Sequence, residues 1–168
     1  MGDEKKNPVK VVERLRLRTK GPFNYREVHS HIFDWLMKMG YAFAETKHAE
    51  KDKSTGRDIE SDWSAFRQVS GYVKYKITVS ILLKDYKEIV VEQNGDKIRT
   101  GTGKLAIIFN AEMEKNYEKQ FSERKGDFTN FLKEVYERHL AKKKLDAMRD
   151  RLEKEVLSLY EGVKTLAD

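Results

Sequence analysis

Arg14, Arg16 and Arg18 occupy every second position of one short stretch, alternating with Leu15 and Leu17. On a strand that spacing puts three guanidinium groups on one face, with same-face residues roughly 6.6–6.8 Å apart. Guanidinium pairs bidentately with phosphate, so such a row is suited to the backbone of a nucleic acid. The chain also offers the row an internal partner. Asp58, Glu60 and Asp62 alternate onto one strand face and would meet the arginines if the two strands were neighbours. Lys74 and Lys76 would extend the row on an adjacent strand. Residues 1–20 hold seven Lys/Arg against three Asp/Glu, whereas residues 112–168 hold 13 of each, so the basic surplus is N-terminal.

Other chemistry is thinly represented. The carboxylates Asp58, Glu60, Asp62, Asp85 and Glu88 could act as acids or bases only if one were desolvated and its pKa raised. Of the four histidines, His29 and His31 point about 200° apart on a helix, which separates them as metal ligands; His48 and His139 are remote in sequence. Gly101-Thr102-Gly103 lies between two strands instead of opening a helix, so it lacks the dipole of a phosphate loop. There is no Walker loop, nucleophile elbow, HExxH or dinucleotide fingerprint, and no cysteine. No catalytic residue, metal or cofactor is expected, and an enzyme is the least favoured class.

Periodicity supplies the elements that must position these residues. Val9, Val11, Leu15 and Leu17 form the apolar face of a first strand, which Lys20-Gly21-Pro22 should end. Asn24 can cap a helix with Glu27 three residues on, Tyr25, Val28, Ile32, Leu36 and Met39 form its apolar stripe, and Gly40 should stop it. A charged ribbon follows, turning at Lys53-Ser54-Thr55-Gly56. Ser70-Gly71 marks a turn or a bulge. Tyr72–Leu83 alternates clearly, and Asn94-Gly95 reads as a type I′ hairpin between Glu88–Gln93 and Asp96–Thr100. Leu105, Ile107, Phe109, Ala111 and Met113 line a last strand. From Ala141 to Leu166 the apolar steps average about 3.6 residues, the period of an ordinary helix. The expectation is an α+β fold: an antiparallel meander sheet of six or seven strands, an N-terminal helix, and a long C-terminal helix over 128–166. Residues 1–7 are expected to be disordered and 8–168 to form a single domain.

The order strand, helix, antiparallel strands, long helix resembles the helix-grip layout of START and Bet v 1-like ligand-binding proteins, without the second helix that usually follows the first there. That resemblance implies an apolar ligand or partner segment held between sheet and C-terminal helix. Its expected lining is Val73, Tyr75, Ile77, Leu105, Ile107 and Phe109 from the sheet, with Leu145, Met148 and Leu152 from the helix. Over residues 63–166, the run Trp63, Val69, Tyr72, Tyr75, Asn94-Gly95, Asn116-Tyr117, Phe131-Leu132 and Tyr136 is similar to small archaeal proteins of unknown function. It implies a prokaryotic, cytoplasmic protein and no particular chemistry.

The 168 residues are 37% charged and 39% hydrophobic, a composition that also suits thermophile ion-pair networks. No apolar run is long enough to span a membrane, and Met1 to Lys10 lacks the apolar core of a signal peptide. The leading expectation is a non-enzymatic binding domain for an apolar molecule. The alternatives are nucleic-acid binding through Arg14, Arg16 and Arg18, or a homodimer joined through Val156, Leu159, Val163 and Leu166, since a helix of roughly 39 residues would be about 58 Å long and overhang the domain.

Overall fold

Residues that alternate apolar and polar build five strands, which pair into one antiparallel sheet in the order β1-β5-β4-β3-β2. The structure, a computed structural model, describes residues 7–71, 73–115 and 141–168. Its elements are β1 (Asn7–Phe23), α1 (Tyr25–Lys38), β2 (Ala42–Lys53), β3 (Gly56–Gln68), β4 (Val73–Gln93), β5 (Asp96–Lys115) and α2 (Ala141–Ala167). Among the described residues the strand count is five, not six or seven. Two pairs of expected short strands are each continuous. Glu88–Gln93 extends β4 beyond a bulge at Asp85-Tyr86, and Asp96–Thr100 is the start of β5. The expected stretch 128–140 of the C-terminal helix lies outside the described residues, as does Tyr72.

Local chemistry sets several boundaries as expected. The Asn24 side chain accepts from the Arg26 N–H at 3.0 Å and caps α1. Gly40, at φ +80°, stops it, and Tyr41 N returns to the Leu36 carbonyl at 3.0 Å. Asn94 and Gly95 both take positive φ, as a type I′ turn requires. Ser70-Gly71 lies in the turn joining β3 to β4, where Val73 N donates to Ser70 Oγ. Lys20-Gly21-Pro22 does not end β1: these residues stay paired with Lys104, Gly103 and Thr102 of β5. Proline is tolerated because β1 is an edge strand.

The inner face of the sheet carries the core, and both helices lie on it. Val28, Ile32 and Leu36 of α1 and Leu152, Val156, Leu159 and Val163 of α2 are fully buried there. Phe109 meets Tyr160 edge-on at 6.0 Å, and the Tyr75 hydroxyl donates to the Met148 carbonyl. A charged clamp locks the layers together. Arg67 of β3 donates to Glu155 of α2 and to the Met39 carbonyl at the end of α1, each at 2.8 Å. The Tyr41 hydroxyl donates to the other Glu155 oxygen at 3.0 Å, and the Arg67 guanidinium lies over the Tyr41 and Tyr75 rings. Burial, with Glu155 beside it, holds the Tyr41 hydroxyl far above its ordinary pKa.

The helical stripe expected to seat a second copy is used inside the chain. Val156, Leu159 and Val163 are buried in the domain's own core, and Leu166 is partly buried against it. They are not an exposed seam. At 1.5 Å per residue the described part of α2 is about 40 Å long, close to the width of a domain this size. No helix among the described residues is long and apolar enough to cross a membrane.

Candidate functional site

The nine residues expected to line an apolar cavity are core or core-edge residues. Val73, Tyr75, Ile77, Leu105, Ile107, Phe109 and Leu152 are buried, while Leu145 and Met148 pack against that core partly exposed. Four cavities among the described residues, of about 780, 600, 360 and 280 Å³, are lined by other side chains.

The outer face of the sheet is different. Arg16, Arg18 and Lys20 of β1 stand opposite Ile108, Ala106 and Lys104 of β5. Those residues in turn stand opposite Ser80, Leu82 and Lys84 of β4. Directly paired residues point to the same side of a sheet, so Lys20, Lys104 and Lys84 lie abreast on three neighbouring strands. Like charges placed directly opposite one another destabilise a sheet. Among the described residues, none of Arg16, Arg18, Lys20, Lys84 or Lys104 is in an ion pair. Ala106, Ile108 and Leu82 form an apolar floor between them.

The acids expected to neutralise the arginines lie out of their reach. β1 pairs with β5, and β3 lies two strands beyond that, so Asp58, Glu60 and Asp62 cannot reach the row. Asp58 pairs with Lys53 at 2.9 Å and Glu60 with Lys47 at 2.8 Å. Lys74 and Lys76 are not on a strand adjacent to β1. Lys76 pairs with Glu112 at 3.6 Å, and Lys74 lies over the Phe66 ring. Arg14 is also displaced from the regular row. Glu13 and Arg14 form a bulge opposite Asn110, Arg14 takes φ +49°, and its N–H is held by Asn110 Oδ1 at 2.9 Å. It borders a 280 Å³ depression shared with Lys76, Thr78 and Glu112. The basic surface therefore runs from Arg14 at the bulge through Arg16 and Arg18 to the three lysines.

On the inner side, two neighbouring cavities meet at Tyr25, the first residue of α1. The smaller, of about 360 Å³, contains a polar chain. Trp63 Nε1 donates to Ser61 Oγ at 2.7 Å, and Ser61 Oγ donates to Glu45 at 3.0 Å. The other Glu45 oxygen faces His48 Nδ1 at 3.0 Å, and His48 Nε2 faces Glu50 at 3.0 Å. Ser61 is 1% exposed, so its hydrogen bonds account for a buried hydroxyl. Burial together with Glu45 and Glu50 pushes the Tyr25 hydroxyl up to about 12. No group of three or more His, Cys, Asp or Glu among the described residues is arranged to hold a metal. His29 and His31 do separate, His29 against Trp63 and His31 against Gly162 of α2; His139 lies outside the described residues.

The larger cavity, of about 780 Å³, lies between the start of α1, the tip of the β2–β3 hairpin and the base of the β4–β5 arm. Its backbone is shaped by close approaches. A Cβ on Gly56 would stand 2.6 Å from the Asp85 carbonyl carbon, and one on Gly101 would overlap the Tyr86 ring. Gly101 and Gly103 thus make room for Tyr86 and its bulge, whose hydroxyl accepts from Tyr25 N at 3.2 Å. The glycine pair reads in the sequence as a bend between strands, and the partner it makes room for is an aromatic ring. Lys20, Lys84 and Lys104 carried no such signal, because only the strand order brings them together. Comparison with protein-family models, with curated proteins and with solved structures finds no match to this chain.

Proposed function

We propose that the protein is a non-enzymatic binding domain for nucleic acid, engaged through the outer face of its sheet at Arg14, Arg16, Arg18, Lys20, Lys84 and Lys104. One observation carries this reading: three lysines stand abreast on adjacent strands, beside two arginines, and none of the five is in an ion pair among the described residues, although the Asp85 carboxylate feels the charge of Lys104. A phosphate backbone laid across the strands supplies the missing charge. The regular patch measures about 13 Å along β1 and about 10 Å across the strands, by ordinary strand spacings. Its floor is aliphatic, without the stacked aromatics of a base-reading sheet, so binding would follow the backbone with little sequence preference. The reading as a holder of an apolar molecule draws no support from the cavities described, none of which its nine residues line. A helix-grip-like fold is supported by β1 closing against β5 with both helices on one face.

The test is a salt titration of single-stranded RNA and duplex DNA binding. Five phosphates neutralised by the regular patch, with Arg14 at the bulge left aside, give a log–log slope of about −3.5 for single strands and about −4.5 for duplex DNA. Replacing Arg16, Arg18 and Lys20 by Ala together should make the slope shallower by about 2–3. Affinity that ignores salt, or that the triple variant leaves intact, overturns the assignment.

A further inference from the structure

The 780 Å³ cavity falls within the roughly 300–1,000 Å³ typical of small-molecule sites, and its walls have an unbalanced charge. Five cations line it, Arg26, Lys53, Arg57, Lys87 and Arg99, against two acids, Asp52 and Glu88. Two of the cations are already neutralised. Lys53 is held by Asp58 at 2.9 Å and Asp85 at 3.1 Å, and Arg57 by Asp52 at 2.9 Å. Arg26, Lys87 and Arg99 are in no ion pair among the described residues. Arg26 and Arg99 come from two elements, α1 and β5, so their convergence is a product of the fold, whereas Lys87 borders the cavity but pairs with Thr102 on the side of the sheet that carries Lys104. The first N–H groups of α1 do not contribute, since Tyr25 N is bonded to Tyr86 and Arg26 N to Asn24. Recognition therefore falls to side chains. Tyr25, Tyr86 and Ile59 give the same cavity an apolar wall.

From this convergence we infer that the cavity binds a phosphate monoester of about mononucleotide size. Arg26 and Arg99 would grip the phosphate, while the tyrosine wall receives the organic part. The site is separate from the outer-face patch, because α1 packs on the inner face and the two share no residue. Two sources present the same chemistry, a free mononucleotide and the phosphorylated end of a nucleic-acid strand.

Isothermal titration of the full chain with adenosine monophosphate, adenosine and inorganic phosphate tests the site. Saturable binding of the monophosphate, absent for adenosine and weakened at least about tenfold by Arg26→Ala with Arg99→Ala, is the expected result. The variant altered at Arg16, Arg18 and Lys20 should bind the monophosphate as the parent does, which separates this inference from the outer-face reading. A short oligonucleotide with a 5′-phosphate, compared with its 5′-hydroxyl counterpart, identifies the source. A preference lost in the Arg26/Arg99 variant points to the strand end, and no preference points to the free nucleotide. Absence of saturable binding overturns the inference, and so does binding that the Arg26/Arg99 variant retains while circular dichroism shows it folded.

Discussion

Replacing Glu155 by Ala removes the acceptor at the centre of the clamp between sheet and helices. Glu155 is 8% exposed and receives both the Arg67 guanidinium at 2.8 Å and the Tyr41 hydroxyl at 3.0 Å. Removing one member of a buried, hydrogen-bonded charge pair costs about 3–5 kcal/mol, because the other charge stays behind. Arg67 would keep the Met39 carbonyl and two ring faces, so the lower end, about 3 kcal/mol, applies. Part of that is the Tyr41 hydroxyl, left without its acceptor. For a chain of this length the loss should lower the melting temperature by about 6–12 °C. Urea and thermal unfolding followed by circular dichroism measure it, in a cycle with Arg67→Ala. The two single losses should overlap, with a coupling of at least about 1 kcal/mol. The pair Arg67→Met with Glu155→Leu should be more stable than either single alanine variant, since an apolar pair leaves no charge stranded. A Glu155→Ala loss below about 1 kcal/mol, or two strictly additive singles, would refute the clamp.

Gly162 of α2 faces His31 Nε2, a buried nitrogen without a hydrogen-bond partner among the described residues. Gly162→Ala should destabilise the parent by overlap with that ring, yet stabilise a His31→Ala background by about 1 kcal/mol through helix propensity; an unfolding midpoint that moves the same way in both backgrounds contradicts the contact. Alkaline stability follows from Tyr41, Tyr75 and Tyr25, all raised chiefly by burial. The folded chain keeps protons that the unfolded chain releases near pH 10, so this stability is whole below about pH 10 and falls as pH rises through the folded values. The urea midpoint should therefore drop above about pH 10, less steeply in Tyr41→Phe, and a parallel drop in both proteins counts against it. At the acid end, Lys53 holds Asp58 below its usual range, and Thr55 with Lys53 does the same for Asp85. Their contribution is present above about pH 4 and lost as pH falls through the lowered values, a dependence that Lys53→Ala should flatten in an acid titration of the unfolding midpoint.

The parts of this fold visible in the sequence are those governed by neighbours along the chain. Asn24, Gly40 and Asn94-Gly95 act within a few residues, and the alternation of β4 and β5 reports a buried face wherever the strand lies. Partnership across the sheet is not local. Arg16 and Arg18 oppose aliphatic residues because β1 pairs with β5, whereas their alternation fits equally well beside the acids of β3. The break expected at Gly21-Pro22 failed for the same reason: an edge strand needs no proline N–H, and edge status depends on the strand order. The Arg67–Glu155 pair was hidden because a charged residue within a helical stripe reads as solvated until its partner is known.

The pairing of the first strand with the last described strand also sets a schedule for folding. Arg14 and Asn110 are 96 residues apart, and Thr19 closes on the Ala167 carbonyl across 148 residues. A chain emerging from its N-terminus must carry Val9, Val11, Val12, Leu15 and Leu17 unpartnered until β5 exists, although β2 to β4 can pair earlier in simple hairpin order. Contacts this distant slow folding towards the millisecond-to-second range and prolong exposure of the first strand. The charges between its apolar residues, Lys10, Glu13, Arg14, Arg16 and Arg18, then act as gatekeepers against association of nascent chains. The same arginines that mark the outer face of the finished sheet protect the strand during the interval before its partner is made.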